Sequence, residues 1–352
     1  MKKDKADNQK SNQPIVSFVI CEHNTDPEFF KEAILSVIEQ TYSNLEIIIV
    51  DDCTHTISFD DDFLHDERIK IIKNERNIGL AGSRNVGINA SHGKYIAIMD
   101  TDDICEPNRI ATQVDYMEKH PDVVCAGSYI ELFGKRNGKE KYIIDDNDYY
   151  RCCLLFGNSP TISNPSSIIR KEVLKRNNIS YDESLKTAED YMMWVTLSQY
   201  GKLRIIKKVL LNYRIRSGQM SEIYRREDLD DNHWKIVKKQ LNCLGINEIS
   251  KEKEMFIRTN FKSETINPYD YYLWLQELIS ANEKTHFFNQ RSFKKRIKEQ
   301  WKQKVYNIRS FTVFKSLFKK LSFTKKIQVL WFEFVRPFNK VLYLFHGLWK
   351  NI

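Results

Sequence analysis

Apolar residues come in short blocks along the first 130 positions, and the blocks switch between two periods. The stretches "IVSFVI" (15–20), "LEIIIV" (45–50), "IKIIK" (69–73), "YIAIM" (95–99) and "VVCAG" (123–127) are runs rich in β-branched residues with polar flanks. That is the pattern of strands buried on both faces. Between the first two, Phe30, Ile34, Val37 and Ile38 recur at helical spacing behind Asp26 and Pro27. An N-cap aspartate and a first-turn proline predict a helix running to about Gln40. A second helix is expected from about Leu80 to Ser91, after Gly79. A third opens at Pro107, with Ile110, Val114 and Met117 on one face. Strands alternating with helices predict a mostly parallel sheet covered on both sides.

The texture changes after residue 128. Asn137-Gly138 predicts a hairpin turn. A helix from Ala188 to Tyr200, closed by Gly201, precedes the strand-like "LRIIK" and "VLLNYR", and beyond Tyr224 the chain reads as helices. The expected organisation is a disordered lead-in over 1–13, an α/β domain over 14–222, and a helical region over 223–352.

Charge sharpens this division. The chain of 352 residues has a formal net charge of +8. Residues 291–352 hold sixteen Lys or Arg against only Glu299 and Glu333, a local balance of +14, so the preceding 290 residues carry −6. Basic character belongs to the tail alone. From 311 on the tail is also dense in aromatics, among them Phe311, Phe318, Trp331, Phe338, Tyr343 and Trp349. Aromatic and basic residues together fit an anionic membrane surface, where each Lys or Arg contributes about 1 kcal/mol. They also fit a helical subdomain packing its aromatics on the catalytic core. No nucleic-acid-binding motif accompanies them, so a nucleic acid partner is not expected.

The seven cysteines, an odd number, contain no CxxC pair, so neither a zinc site nor a disulfide framework is expected and reduced thiols are the default. The polar start "MKKDKADNQKSNQP" lacks the apolar core of a secretory signal, and no stretch offers about 18 uninterrupted apolar residues for a transmembrane helix. A cytoplasmic protein, with peripheral contact at the inner face of the cell membrane, is the expectation.

Candidate chemistry concentrates at strand ends. Asp51-Asp52 closes the second apolar run, and Asp100, Asp102 and Asp103 close the fourth. In open α/β sheets ligands bind outside the carboxyl ends of the strands. Crowded carboxylates repel unless a cation or strong donors lie nearby. An Asp-x-Asp at a strand end suits a hard divalent ion, Mg²⁺ or Mn²⁺, which takes one or two carboxylates and completes its shell with phosphates and water. The alternative is an Asp-rich turn capping the helix at Pro107.

Three segments in order, "SVIEQTYSNLEIIIVDDCT" (36–54), "NIGLAGSRNVGINASHGKYIAIMDTDD" (77–103) and "AEDYMMWVTLSQYG" (188–201), closely resemble the family 2 glycosyltransferases over roughly residues 14–220. The resemblance implies the GT-A fold, a Rossmann-like mixed α/β sheet that binds a nucleotide-diphospho-sugar, with a helical C-terminal extension. It implies that Asp102 binds the metal and that Asp100 faces the ribose or a metal-bound water. Asp103 is then a helix cap or a support behind the metal. Asp52, with Asp51, would accept from the N–H of a uracil-like base. His23 stands where the family usually has a stacking tyrosine, and Cys21 where it has proline. Arg84, with Asn85, either contacts the nucleotide side of the pocket or braces the aspartates by a salt bridge. Asp190 of the Glu189-Asp190 pair would be the general base on the acceptor hydroxyl, with Glu189 orienting it or the acceptor. Arg216, followed by Ser217, replaces a histidine frequent in the family; it offers donors only, so it would clamp the diphosphate rather than bind metal. "TISNPSSIIR" (161–170) resembles the floor of the acceptor pocket, with no roles assigned to its residues.

The implied function is an inverting, metal-dependent transfer of a sugar, from a UDP-sugar or related donor, to a cell-surface glycan or lipid-linked saccharide. Two alternatives stay open. One is a sugar-1-phosphate nucleotidyltransferase, although "CEHNTDPE" lacks the Gly-rich basic loop such enzymes carry. The other is a non-catalytic sugar-nucleotide-binding protein at the membrane, against which Asp100, Asp102 and Asp190 argue.

Overall fold

The computed structural model describes residues 13–156, 161–217, 219, 228–258, 268–307, 319 and 322–326. Most of the aromatic stretch from 311 on, and the lead-in up to residue 12, lie outside them.

Strands β1 (Val16–Glu22), β2 (Leu45–Asp51), β3 (Ile69–Lys73) and β4 (Tyr95–Met99) form a parallel half-sheet in the order β3-β2-β1-β4. The residues of β1, β2 and β4 are buried almost throughout because helices cover both faces, whereas edge strand β3 exposes Lys70 and Lys73. Helix α1 (Pro27–Ile38) begins where Asp26 accepts from the Glu28 N–H at 3.0 Å, and it buries Phe30, Ala33, Ile34 and Val37. These pack with Phe18, Ile20, Ile47 and Ile49. Each such fully buried side chain contributes about 1.5–3 kcal/mol of transfer free energy.

Helix α2 (Gly79–Ala90) lies very close to the sheet at Gly87. A Cβ there would stand 2.5 Å from Cγ1 of Val19 and 3.3 Å from Cγ2 of Val50, so only glycine permits this approach. The helix starts at Gly79, whose φ of +81° suits a residue without Cβ.

The sheet then turns mixed. After β5 (Ile104–Cys105) and α3 (Arg109–Lys119) come β6 (Val123–Gly134) and β7 (Gly138–Glu140), an antiparallel pair around the expected Asn137-Gly138 turn. Helix α4 (Asn147–Leu154) leads to β8 (Ile168–Arg170), which inserts antiparallel between β4 and β6. Helices α5 (Lys171–Arg176) and α6 (Glu189–Leu197) precede β9 (Lys202–Ile215). The two strand-like stretches "LRIIK" and "VLLNYR" are this one strand, parallel to β6 with register shifts between Ser128 and Ile130. The full order is β3-β2-β1-β4-β8-β6-β9-β5, with β7 on β6. The parallel arrangement that alternation predicts therefore holds for the first four strands and gives way at β8, which at three residues is too short to show a period.

The described residues divide into two compact units, one reaching to Tyr150 and resuming from 161 to Ile236, the other made of 151–156 and the residues from Val237 on. The division falls inside α7 (Asp228–Cys243). The second unit is helical: α8 (Lys251–Arg258), α9 (Pro268–Thr285) and α10 (Gln290–Asn307). Asn282 closes the α9–α10 connection, its amide donating to the Phe288 carbonyl at 3.1 Å and accepting from the Phe288 N–H at 2.8 Å. Trp274, Leu278, Phe293, Ile297 and Trp301 fill its core. Among the described residues no helix is long and apolar enough to cross a membrane, and none of the seven cysteines is in a disulfide.

Candidate active site

The carboxyl ends of β1, β2 and β4 open onto a cleft of about 650 Å³ in the first unit. His23, Asp52, Asp100, Asp102, Glu189 and Arg216 all line it.

Each aspartate has a distinct set of partners. Asp52 accepts from the N–H groups of Ile78 (2.8 Å) and Gly79 (2.9 Å) and from the Asn74 amide (2.9 Å). A carboxylate has about four acceptor sites, so one stays available for a ligand donor. The same bonds anchor the loop that starts α2. Asp51 accepts from the Thr54 N–H at 2.8 Å and does not line the cleft. His23 Nδ1 faces the Asp52 carbonyl at 2.8 Å and therefore donates to it; its Nε2 then accepts from the Asn77 amide at 3.0 Å. The ring stays at the cleft lining.

Arg84 is buried and outside the cleft lining. It donates to Asp100 at 3.1 Å and to Glu189 at 2.6 Å. Of the two roles open to it, bracing is the one its contacts fulfil. Burial alone would lower its pKa, but Asp100 and Glu189 outweigh this and hold the guanidinium firmly charged. Oriented with its oxygen toward Arg84, the Asn164 amide accepts from both terminal nitrogens at 3.0 and 2.9 Å and donates to the Tyr181 hydroxyl at 3.1 Å. The Tyr181 ring lies 5.4 Å from the guanidinium carbon. Asn85 points elsewhere, exchanging hydrogen bonds with the Tyr181 backbone at 2.8 and 2.9 Å.

Asp102 accepts from Nε of Arg216 at 2.7 Å. Asp103 is fully buried; one oxygen accepts from the Arg214 N–H at 2.9 Å and the other has no partner. It is not the cap of α3, whose N-cap position is Asn108. Instead it ties the acidic turn to β9. Burial, then the charges of Asp102 and Asp100, push its carboxyl well above the usual range. Burial raises Asp100 as well, Arg84 opposing and Asp102 reinforcing it.

At the N-terminus of α6, Ala188 adopts a left-handed φ of 61°, a strained conformation for a residue with Cβ. It delivers Glu189 into the cleft and leaves Asp190 beside it, half-buried and outside the lining. Burial first, and the charge of Glu189 second, push the Asp190 carboxyl up to about 7. Its Oδ1 accepts from the Tyr191 N–H at 2.7 Å.

The sequence profile of Glycosyl transferase family 2 matches residues 17–177. A glycosyltransferase of Haemophilus influenzae, itself uncharacterized, is 34% identical over 230 residues, covering 61% of this chain and 70% of that protein. The chain belongs to the family 2 glycosyltransferases. An uncharacterized family relative from Methanocaldococcus jannaschii is 34% identical over 242 residues, 64% of this chain and 81% of its own. The succinoglycan biosynthesis protein ExoO of Rhizobium meliloti is 26% identical over 231 residues, 62% and 65% of the two chains. Among solved structures, S. aureus TarS in complex with UDP-GlcNAc superposes with a TM-score of 0.55 at 17% identity, covering 88% of this glycosyltransferase and 93% of that chain. At that identity the match shows the GT-A fold.

This glycosyltransferase also uses residues that its sequence does not single out. Glu22, buried at the end of β1, lines the cleft and accepts from the Thr25 N–H at 2.8 Å and the Thr54 hydroxyl at 3.2 Å, while its Oε2 has no partner. Burial raises its carboxyl. Asn164 and Tyr181 orient Arg84, and Gln219 accepts from the Arg216 N–H at 3.2 Å. Ser217, which the sequence singles out beside Arg216, is outside the cleft lining and accepts from Lys135. The Asn-Pro pair at 164–165 was the available signal for Asn164, since it marks a fixed turn beside a strand.

Proposed function

We propose that the protein is an inverting, metal-dependent glycosyltransferase that moves a sugar from a nucleoside diphosphate donor, a UDP-sugar, to a hydroxyl of a cell-surface glycan or lipid-linked saccharide. The observation that carries this is the pair of carboxylate groups coupled through Arg84: Asp100 with Asp102 on one side, Glu189 with Asp190 on the other. A transferase needs both a place for a leaving diphosphate and a base for an incoming hydroxyl. In keeping with this, TarS was crystallised with UDP-GlcNAc and ExoO is named for succinoglycan biosynthesis.

Asp100 and Asp102 fit a divalent ion. Each uses acceptor capacity on an arginine but keeps more, and Mg²⁺ or Mn²⁺ needs only one or two carboxylates when substrate phosphates complete its shell. A bound ion would act as a Lewis acid for the leaving diphosphate.

The chain's own groups do the rest. Arg216 gives the diphosphate a bidentate donor at the cleft. Asp52 accepts from the base, and His23 offers a ring face beside it. Asp190 takes the proton of the acceptor hydroxyl as its oxygen bonds to the anomeric carbon and the bond to the diphosphate breaks, with inversion. A carboxyl raised to about 7 is half ionised near neutral pH, close to the optimum for this task. Its place beside the cleft lining, not in it, suits a group that meets the acceptor. The basic tail over 291–352, where Arg291 and Lys295 are exposed on α10, would hold the enzyme at an anionic membrane surface.

A thermal-shift screen of UDP-, GDP- and dTDP-sugars with Mn²⁺, followed by nucleoside diphosphate release, tests the reading. Stabilisation and turnover by one of them is expected; no binding and no release by any would contradict it. For the tail, deletion of 311–352 is expected to release the protein from anionic vesicles, and unchanged sedimentation would contradict that part.

A further inference from the structure

We propose that Arg214, which does not touch the cleft, is the residue that positions the metal-and-diphosphate end of the donor site. This rests on the reading of Asp102 given above. The Arg214 guanidinium is held between two aromatic rings, 4.2 Å from the centroid of Phe29 and 4.4 Å from that of Phe133. Nε donates to the backbone carbonyl of Asp102 at 2.8 Å, and the far nitrogen pairs with Glu32 on α1. Its backbone N–H donates to Asp103 at 2.9 Å, and its carbonyl accepts from the Gln219 side chain. One residue thus joins α1, β6, β9 and the acidic turn.

Two positions on, Arg216 pairs with the Asp102 carboxylate at 2.7 Å. Residues two apart along an extended chain lie on one face. Arg214 therefore fixes the backbone of Asp102 while Arg216 meets its side chain, and Gln219 holds the segment that carries both. Stacked between rings, a planar fork loses little freedom in making its two outward bonds, which a lysine at 214 could not make together. Arg214 sets where Asp102 stands but donates nothing to substrate, so its loss should weaken donor and metal binding more than it slows the bound complex.

The test is calorimetric titration of UDP-GlcNAc in Mn²⁺, with the Mn²⁺ half-saturation and kcat of donor turnover, on the full chain. Arg214→Lys, with its fold checked by circular dichroism and Tm, is expected to bind donor about tenfold more weakly and to need correspondingly more Mn²⁺, as when a support behind a metal ligand is lost. Its kcat at saturation should stay within about twofold of wild type. Glu32→Gln, at the outer anchor, should shift binding in the same direction by less. If Arg214→Lys does not fold, Glu32→Gln and Phe133→Leu decide the matter by the same measurements. Wild-type donor and Mn²⁺ affinity in the variants that fold would overturn the proposal. Asp102→Asn separates the two levels: if it loses binding while they keep it, only the positioning role falls. If Asp102→Asn itself binds as wild type, the donor-site reading falls and this inference with it.

Discussion

Asp100 and Glu189 are held by one buried guanidinium, that of Arg84, at 3.1 and 2.6 Å. Two strand-and-helix ends far apart in sequence thereby become one electrostatic unit. The Arg84 cation makes the neighbouring carboxylates tolerable, and Asn164 and Tyr181 keep it from turning away.

Removing that cation should therefore damage stability and activity together. Arg84→Ala leaves Asp100 and Glu189 without their shared partner and is expected to cost about 3–5 kcal/mol, the usual loss when one partner of a buried ion pair is deleted. Arg84→Lys keeps the charge but cannot serve both carboxylates with a planar fork. It should lose less stability and still lose most donor turnover. Denaturant melts and nucleoside diphosphate release on the two variants check this.

Much of this arrangement is legible in the sequence, and the parts that are not have physical reasons. The strands β1, β2 and β4 stand where their apolar runs stand, because two-sided burial demands uninterrupted apolar residues. Asp52, Asp100, Asp102 and Glu189 share one cleft because the strand-end rule and the family motifs point the same way. Strand β8 was hidden because "IIR" is three residues long. Helix α4 spans only eight residues, little more than two turns, too few to show a clear period, and its local start signal is Asp146, which accepts from the Tyr149 N–H at 3.0 Å. The choice between two jobs for Arg84 depends on Asn164 and Glu189, contacts made across 80 and 105 positions that no local pattern encodes. Asp103 reads as a helix cap or a support behind the metal by its place before Pro107; Asn108 holds the cap position, and the contact of Asp103 is a tertiary one with Arg214.

Asp190 should carry an ionisation signature. Its carboxyl is raised to about 7 from an ordinary value of 3.8. A base works deprotonated, so kcat/KM should rise with pH through about 7 and level off above. The sign for stability is opposite. The unfolded state ionises near 3.8, so the folded state loses stability relative to it as pH rises from there to about 7 and stays lower beyond. Asp190→Asn removes this penalty. Its Tm should match wild type near pH 4 and exceed it at pH 8. Calorimetric scans at the two pH values check the crossing.

Arg216 should report on phosphate and not on the base. Exposed over 39% of its side chain and paired with Asp102, it can exchange a carboxylate for a diphosphate. Arg216→Gln is expected to weaken UDP binding about tenfold, the scale of a lost charge-assisted bidentate contact. Uridine binding should be unchanged. Titrations of the two ligands in the same buffer distinguish the outcomes.

Gly87 tests whether helix placement matters to the site. Alanine is the better helix former by about 1 kcal/mol. Its Cβ, however, would stand 2.5 Å from Val19. Overpacking of this kind costs about 1–3 kcal/mol, so Gly87→Ala should be destabilised overall, and donor turnover should fall as α2 and Arg84 move off the sheet. A urea melt and a turnover assay measure both.

The most direct test is donor turnover by Asp190→Asn at saturating nucleotide-sugar, Mn²⁺ and acceptor, with donor affinity measured on the same protein. The expected result is a loss of about 10²–10⁴ in kcat, the worth of a positioned general base, with donor affinity unchanged. Full turnover by this variant would contradict the assignment of Asp190 as the base, and with it the division of the site into a donor side at Asp102 and an acceptor side at Asp190.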